Sequence, residues 1–145
     1  MDSTIKMKID YEISQIDELI DKSKVLISLC KEKEPDFVEI IAVGGILHSF
    51  YNGIENIFVL IGKILGFDFK SSPQWHRNLV DFMFSQSNFL PSDLRLLLTE
   101  YMGFRHFYRH TYGFTIKWEK CSHLFLGLHD FWQSIRTSIK RYCEK

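Results

Sequence analysis

From Gly103 to Phe114 the chain reads Gly-Phe-Arg-His-Phe-Tyr-Arg-His-Thr-Tyr-Gly-Phe, with two Arg, two His and two Tyr inside eight residues. Arg plus His is the smallest set of side chains that can cleave a phosphodiester without a metal. The guanidinium neutralises charge developing on the phosphate, and the imidazole moves protons. Arg suits the first task because it is always charged and presents a planar fork of donors. If the chain does chemistry, this segment is the first place to look for it.

Spacing alone is a weak signal. In a chain with 6 His, one fixed Arg-to-His spacing arises by chance about 0.25 times, so context must carry the motif. On a helical wheel the apolar stripe centres on Tyr101, Phe104 and Tyr108. His106 and His110 face away from it, Arg109 lies between, and Arg105 sits nearer the stripe's edge. A straight helix separates Arg105 from His110 by about 140°. The two converge on one phosphate only if the helix ends or distorts near His110, or if a second subunit completes the site. Two plainer readings stand beside the catalytic one. The segment can be a solvated basic helix face, or His106 and His110 at i, i+4 can bind a metal, although no third ligand stands at a recognisable spacing.

The elements that must hold this segment are helical. Ile5, Ile9, Ile13, Ile16 and Ile20 recur at helical steps, so a first amphipathic helix runs to about Cys30 and stops before Pro35. Asp36 followed by Glu39 has the form of a capping box. It opens a second helix through Ile40, Ile41, Val43, Ile46 and Leu47 to about Leu65, apolar on several sides and so the most buried. Gly44 and Gly45 inside it mark close packing or a bend, and Gly66 is a natural stop. Ser72-Pro73 reads as the start of a short helix from Trp75 to about Gln86. Pro91-Ser92-Asp93 opens a fourth, striped by Leu94, Leu97, Leu98, Tyr101, Phe104 and Tyr108, with Gly113 as its end. One last helix from about Lys117 places Cys121, Leu124, Leu128, Phe131, Ile135, Ile139 and Tyr142 in phase. No alternating strand pattern or internal repeat appears. The expected fold is an all-α bundle of four main helices and one short one, a single domain over residues 1–145.

Composition narrows the function classes. The 145 residues suffice for one core, and 15% are aromatic, with 13 Phe. The formal net charge is zero, so any contact with nucleic acid must come from a local patch, and self-association is not opposed by charge. Three Cys without CxxC spacing argue against a disulfide framework or zinc ribbon. The first residues do not read as a signal peptide, and the greasy run Ile54 to Phe67, interrupted by Glu55, Asn56 and Lys63, is too short and polar to span a bilayer. The expectation is a cytoplasmic protein with no membrane contact.

Outside the segment, His48, Asn52 and Glu55 fall at i, i+4 and i+7 on the buried second helix. They form either a hydrogen-bonded polar seam or support for the Arg-His site. Trp75-His76-Arg77 either grips a nucleotide by stacking or anchors a loop. His123 and His129 read as surface or satisfied core. Lys140, Arg141 and Lys145 make a basic end suited to the helix dipole.

Arg105, His110 and Tyr112 together match Arg-x4-His-x-Tyr, and the chain resembles the HepT toxins of the HEPN superfamily. The polar residue common after that Arg is His106 here. The blocks His48-Ser-Phe-Tyr-Asn-Gly-Ile-Glu-Asn-Ile57, Trp75-His-Arg-Asn-Leu79 and Gly103-Phe-Arg-His106 resemble a HepT-like subgroup in the same order, over roughly residues 38 to 132. The resemblance implies a HEPN-type bundle that dimerises around the Arg-x4-His helix, two motif copies facing each other across a cleft. It implies a metal-independent endoribonuclease without a cofactor, the toxin of a type VII-like toxin-antitoxin system, with tRNA as the RNA the family suggests. His110 would be general base or acid, Arg105 would hold the phosphate, and His106 would orient one of them. Arg109, His76 and Arg77 would be RNA contacts. The implied partner is an MntA-like nucleotidyltransferase antitoxin that transfers AMP to Tyr112, where added charge and bulk would exclude RNA. The rival expectation is a non-catalytic HEPN module that only binds a nucleotide or partner.

Overall fold

A computed structural model describes residues 1–68 and 72–144, and Lys145 of the basic end lies outside them. Six α-helices and two short 3-10 turns make up the described chain: α1 (Ser3–Glu32), α2 (Phe37–Ile64), α3 (Trp75–Ser85), a turn at Ser92–Leu94, α4 (Arg95–Arg109), a turn at Gly113–Thr115, α5 (Trp118–Leu126) and α6 (Leu128–Cys143). The fold is all-α, as the periodicity predicts.

The first two helices start where the sequence says they should. The Asp2 carboxylate accepts from the Thr4 N–H at 2.7 Å. Asp36 and Glu39 form the full reciprocal box, with contacts of 2.8 and 2.9 Å, which satisfies N–H groups that a helix start otherwise leaves orphaned. Ile9, Ile13, Ile16 and Ile20 of α1 are buried in the core that α2 centres. α2 ends at Ile64, and Gly66 follows at φ 71°, the left-handed geometry a helix terminator needs.

α2 is the central helix. Val43, Phe50, Tyr51, Ile54, Ile57, Phe58 and Ile61 are fully buried along it. At 28 residues it is long and apolar enough to cross a membrane by length and composition alone, longer than the run Ile54 to Phe67 that the sequence marks out. Its apolar faces are used by the bundle core. The glycine pair resolves as close packing, since α2 continues through it. A Cβ on Gly44 would lie 2.4 Å from Ile116 Cδ1 and 3.1 Å from the Tyr108 ring, so the chain after α4 sits down on α2 only because no side chain is there.

Three boundaries differ from expectation. Ser72-Pro73 does not cap α3; the helix starts at Trp75 with no side-chain cap, and the Ser72 hydroxyl instead accepts from the Gln74 N–H at 3.2 Å. The single last helix is two, α5 and α6, divided at Gly127. There the Gly127 N–H donates to the His123 carbonyl, and a Cβ would stand 3.0 Å from that oxygen. The helical phase survives the break, so a periodicity argument passes over it. The third difference, the end of α4, lies within the site.

The aromatic excess fills the core. Phe50 meets Tyr101 edge-on at 5.2 Å and Trp132 at 6.1 Å. The polar tips find partners, as buried polar atoms must: Tyr101 donates to the Leu124 carbonyl at 2.6 Å and Trp132 Nε1 to Asp17 at 2.7 Å. All three Cys are buried and unpaired. Burial pushes the Cys121 thiol up to about 11, which keeps it protonated and unreactive near neutral pH.

Candidate active site

α4 is amphipathic, burying Leu98 and Tyr101 and half-burying Phe104, Arg105 and Tyr108. It stops at Arg109, four residues before the expected Gly113. His110 is the C-cap at φ −118°, ψ 17°, and its N–H donates to the Phe107 carbonyl at 3.0 Å in a tightened last turn. The cause of the early stop is tertiary. Ile116 is buried, and its side chain reaches Gly44 on α2, so the chain must leave the helix in time to bring Ile116 down. Gly113 opens the next 3-10 turn, where the Thr115 N–H and hydroxyl both donate to the Tyr112 carbonyl, at 3.0 and 2.7 Å. His106 and Arg109 in the last turn complement the negative end of the helix.

The helix therefore ends at His110, one of the two alternatives the wheel argument leaves open, yet the single chain does not bring Arg105 to His110. No hydrogen bond or ion pair joins them among the described residues. His110 lies with its ring 4.7 Å from that of His106, and both are exposed. Arg109 is exposed as well, and Tyr112 is 74% exposed, stacked on Phe114 at 5.6 Å. Arg105 turns the other way. Its Nε donates to Asn52 Oδ1 at 2.7 Å, and its Nη2 is 3.9 Å from Glu55 Oε1.

The polar seam on α2 and the support for Arg105 are thus one feature. Glu55 is only 4% exposed, and a buried carboxylate must be paired to remain charged. It is held by Arg105 on one oxygen and by His76 Nδ1 at 2.7 Å on the other. Asn52, one turn before Glu55, orients the guanidinium. His48, one turn before Asn52, stacks on Tyr108 at 4.8 Å, with its Nδ1 buried and unbonded. Burial lowers the His48 pKa, and the charges of Arg105 and Arg109 lower it further, so this imidazole is held neutral. Burial likewise raises the Tyr51 pKa, with Glu55 adding to the rise.

Of the candidate RNA contacts, Arg109 and Arg77 are exposed. His76 is half-buried and tied to Glu55, its ring 3.7 Å from that of Trp75. The sequence proposes Trp75-His76-Arg77 without linking it to the Arg-His segment, and Glu55 supplies the link. The only hint in the sequence is a charged residue in phase with His48 and Asn52 on an otherwise greasy helix. His123 pairs with Glu100, and His129 lies 3.3 Å from Asp130, both exposed. No group of three or more His, Cys, Asp or Glu comes together to hold a metal among the described residues.

The all-helical bundle of the described residues is consistent with a HEPN-type fold. Within it, residues 42–145 match the family model for HepT-like proteins, and the chain belongs to that family. HEPN members are typically ribonucleases, and HepT proteins are the toxin halves of toxin-antitoxin pairs. No curated protein and no solved structure matches the chain.

Proposed function

We propose that this protein is a metal-independent endoribonuclease and the toxin of a type VII-like toxin-antitoxin pair, acting in the cytoplasm. One observation carries the reading: Arg105 is fixed by Asn52 and Glu55 at the end of a helix that also presents two exposed imidazoles, His106 and His110. A guanidinium with its Nε occupied keeps its terminal N–H groups in one place, which suits a preorganised phosphate contact. In this reading His110 transfers a proton during attack by the ribose 2′-hydroxyl, and Arg105 stabilises the pentacoordinate phosphorus. His106, beside His110, orients it.

The separation of Arg105 from His110 within one chain supports a homodimer in which two copies of the α4 end face each other and the Arg of one serves the His of the other. The exposed Tyr112 suits AMP transfer by an MntA-like nucleotidyltransferase antitoxin. It lies two residues from His110, where added phosphate charge would compete with RNA. The substrate is RNA, with tRNA as the class the family suggests.

RNA cleavage by the purified protein should persist in EDTA and disappear in Arg105→Ala and His110→Ala. Loss of cleavage on chelation, or retention in both variants, overturns the mechanism. The pairing of Arg105 with Glu55 favours a second reading, a non-catalytic HEPN module, because a neutralised guanidinium attracts a phosphate less. That reading expects partner binding without cleavage of any RNA.

A further inference from the structure

Cleavage through the 2′-hydroxyl needs two proton transfers. A base takes the 2′-hydroxyl proton as that oxygen bonds to phosphorus. The phosphorus–5′-oxygen bond then breaks, and the leaving oxygen takes a proton from an acid, giving a 2′,3′-cyclic phosphate and a 5′-hydroxyl. On the reading above, His110 supplies one of these groups.

His76 is placed to supply the other. It stands in the first turn of α3, and its Nδ1 lies 2.7 Å from Glu55 Oε2. With Nδ1 donating to the Glu55 carboxylate, Nε2 is the ring nitrogen left for a substrate, on the edge of the imidazole away from Glu55. The Trp75 ring lies 3.7 Å from the imidazole, tilted by 31°, and limits its rotation. The His76 side chain is 29% exposed, whereas the Glu55 side chain is 5% exposed. The other oxygen of the same carboxylate faces Arg105 at 3.9 Å. An imidazole oriented by a buried carboxylate that also faces a guanidinium is one element of a nucleophile-activating site. Another His–carboxylate pair between helices, His123 with Glu100, has both side chains at least a third exposed, so no buried carboxylate orients that imidazole.

We propose that His76 is the general base for the 2′-hydroxyl, with Glu55 as its positioning residue and His110 as the acid. This rests on the ribonuclease reading but makes a claim that reading does not need. His76→Ala should lower kcat on single-stranded RNA at least about 100-fold with KM within about threefold, and His123→Ala should leave both unchanged. On uridine 3′-(4-nitrophenyl phosphate), whose leaving group needs no acid, His110→Ala should recover most of its activity, and His76→Ala should remain impaired. Nitrogen-15 NMR of the wild-type protein above pH 7.5 should show His76 protonated on Nδ1, and Glu55→Gln should remove that preference and lower kcat. If His76→Ala cuts normally while Arg105→Ala and His110→Ala are dead, the base assignment falls and the ribonuclease reading stands. If His76→Ala is the variant rescued by the activated substrate, or if Nε2 carries the proton in the wild type, the assignment also falls. If the wild type cleaves neither substrate, both claims fall together.

Discussion

Arg105 and Arg109 lie one turn apart on the same helix, and the bundle treats them differently. Arg105 faces α2, with Asn52 on its Nε and Glu55 below its fork. Arg109 faces solvent together with His106, His110 and Tyr112. The inner side of this helix end is a built polar seam inside an apolar core. The outer side is a set of exposed groups whose geometry a partner, a second copy or a substrate would have to complete. A motif written in one line of sequence is therefore split between a part the fold holds rigid and a part it merely displays.

The largest effect separates the two sides by stability. Arg105→Ala leaves the Glu55 carboxylate buried with His76 as its remaining partner. The expected loss is about 1–3 kcal/mol, that of buried polar groups deprived of one partner, measured by urea unfolding, whereas Arg109→Ala should stay within about 0.5 kcal/mol. Equal effects in the two variants would dissolve the distinction. Next comes the contact that pins the seam to the chain after α4. Gly44→Ala puts a methyl group into Ile116 and Tyr108. It should cost about 1–2 kcal/mol from overpacking, despite the helix propensity Ala adds. A stabilised variant would mean that Ile116 does not set the end of α4.

A smaller effect is electrostatic. His48 has a folded pKa below its ordinary 6.5, through burial and then the two Arg charges. The unfolded chain therefore binds a proton that the folded chain refuses, and stability present above pH 6.5 is lost as pH falls below that value. His48→Gln should flatten this part of the pH profile, read from urea midpoints at pH 5 and pH 7.5, and an unchanged slope would remove His48 from the seam. The smallest effect is expected at Tyr112. Tyr112→Phe, at a 74% exposed position, should move the unfolding midpoint by no more than about 0.5 kcal/mol. On the proposed reading it should also abolish the mass increase seen when the protein is incubated with ATP and the nucleotidyltransferase partner.

Much of this molecule was legible in its residues because the relevant interactions are local. Ile9 to Ile20 repeat at the helical period, Asp36 and Glu39 are three residues apart, and Gly66 takes the left-handed conformation that stops α2. The Arg-x4-His-x-Tyr spacing and its two companion blocks were enough to place the chain among HepT-like proteins. The break at Gly127 was not legible, because a turn that preserves helical phase leaves no trace in periodicity. Nor was the end of α4 at Arg109, which follows from burying Ile116 over Gly44, residues 72 positions apart in the chain.

The sequence by itself determined that the chain is helical, most of the buried faces and the residue types available for chemistry, since helical period and capping depend on neighbours a few residues away. Only the tertiary structure decided how those residues are shared out. It turned Arg105 inward to Asn52 and Glu55, joined His76 to the same carboxylate across 21 residues, and left His106, His110 and Tyr112 on the surface. A buried charge must find its partner wherever the packing places one, and that choice is made by the assembled bundle rather than by any segment within it.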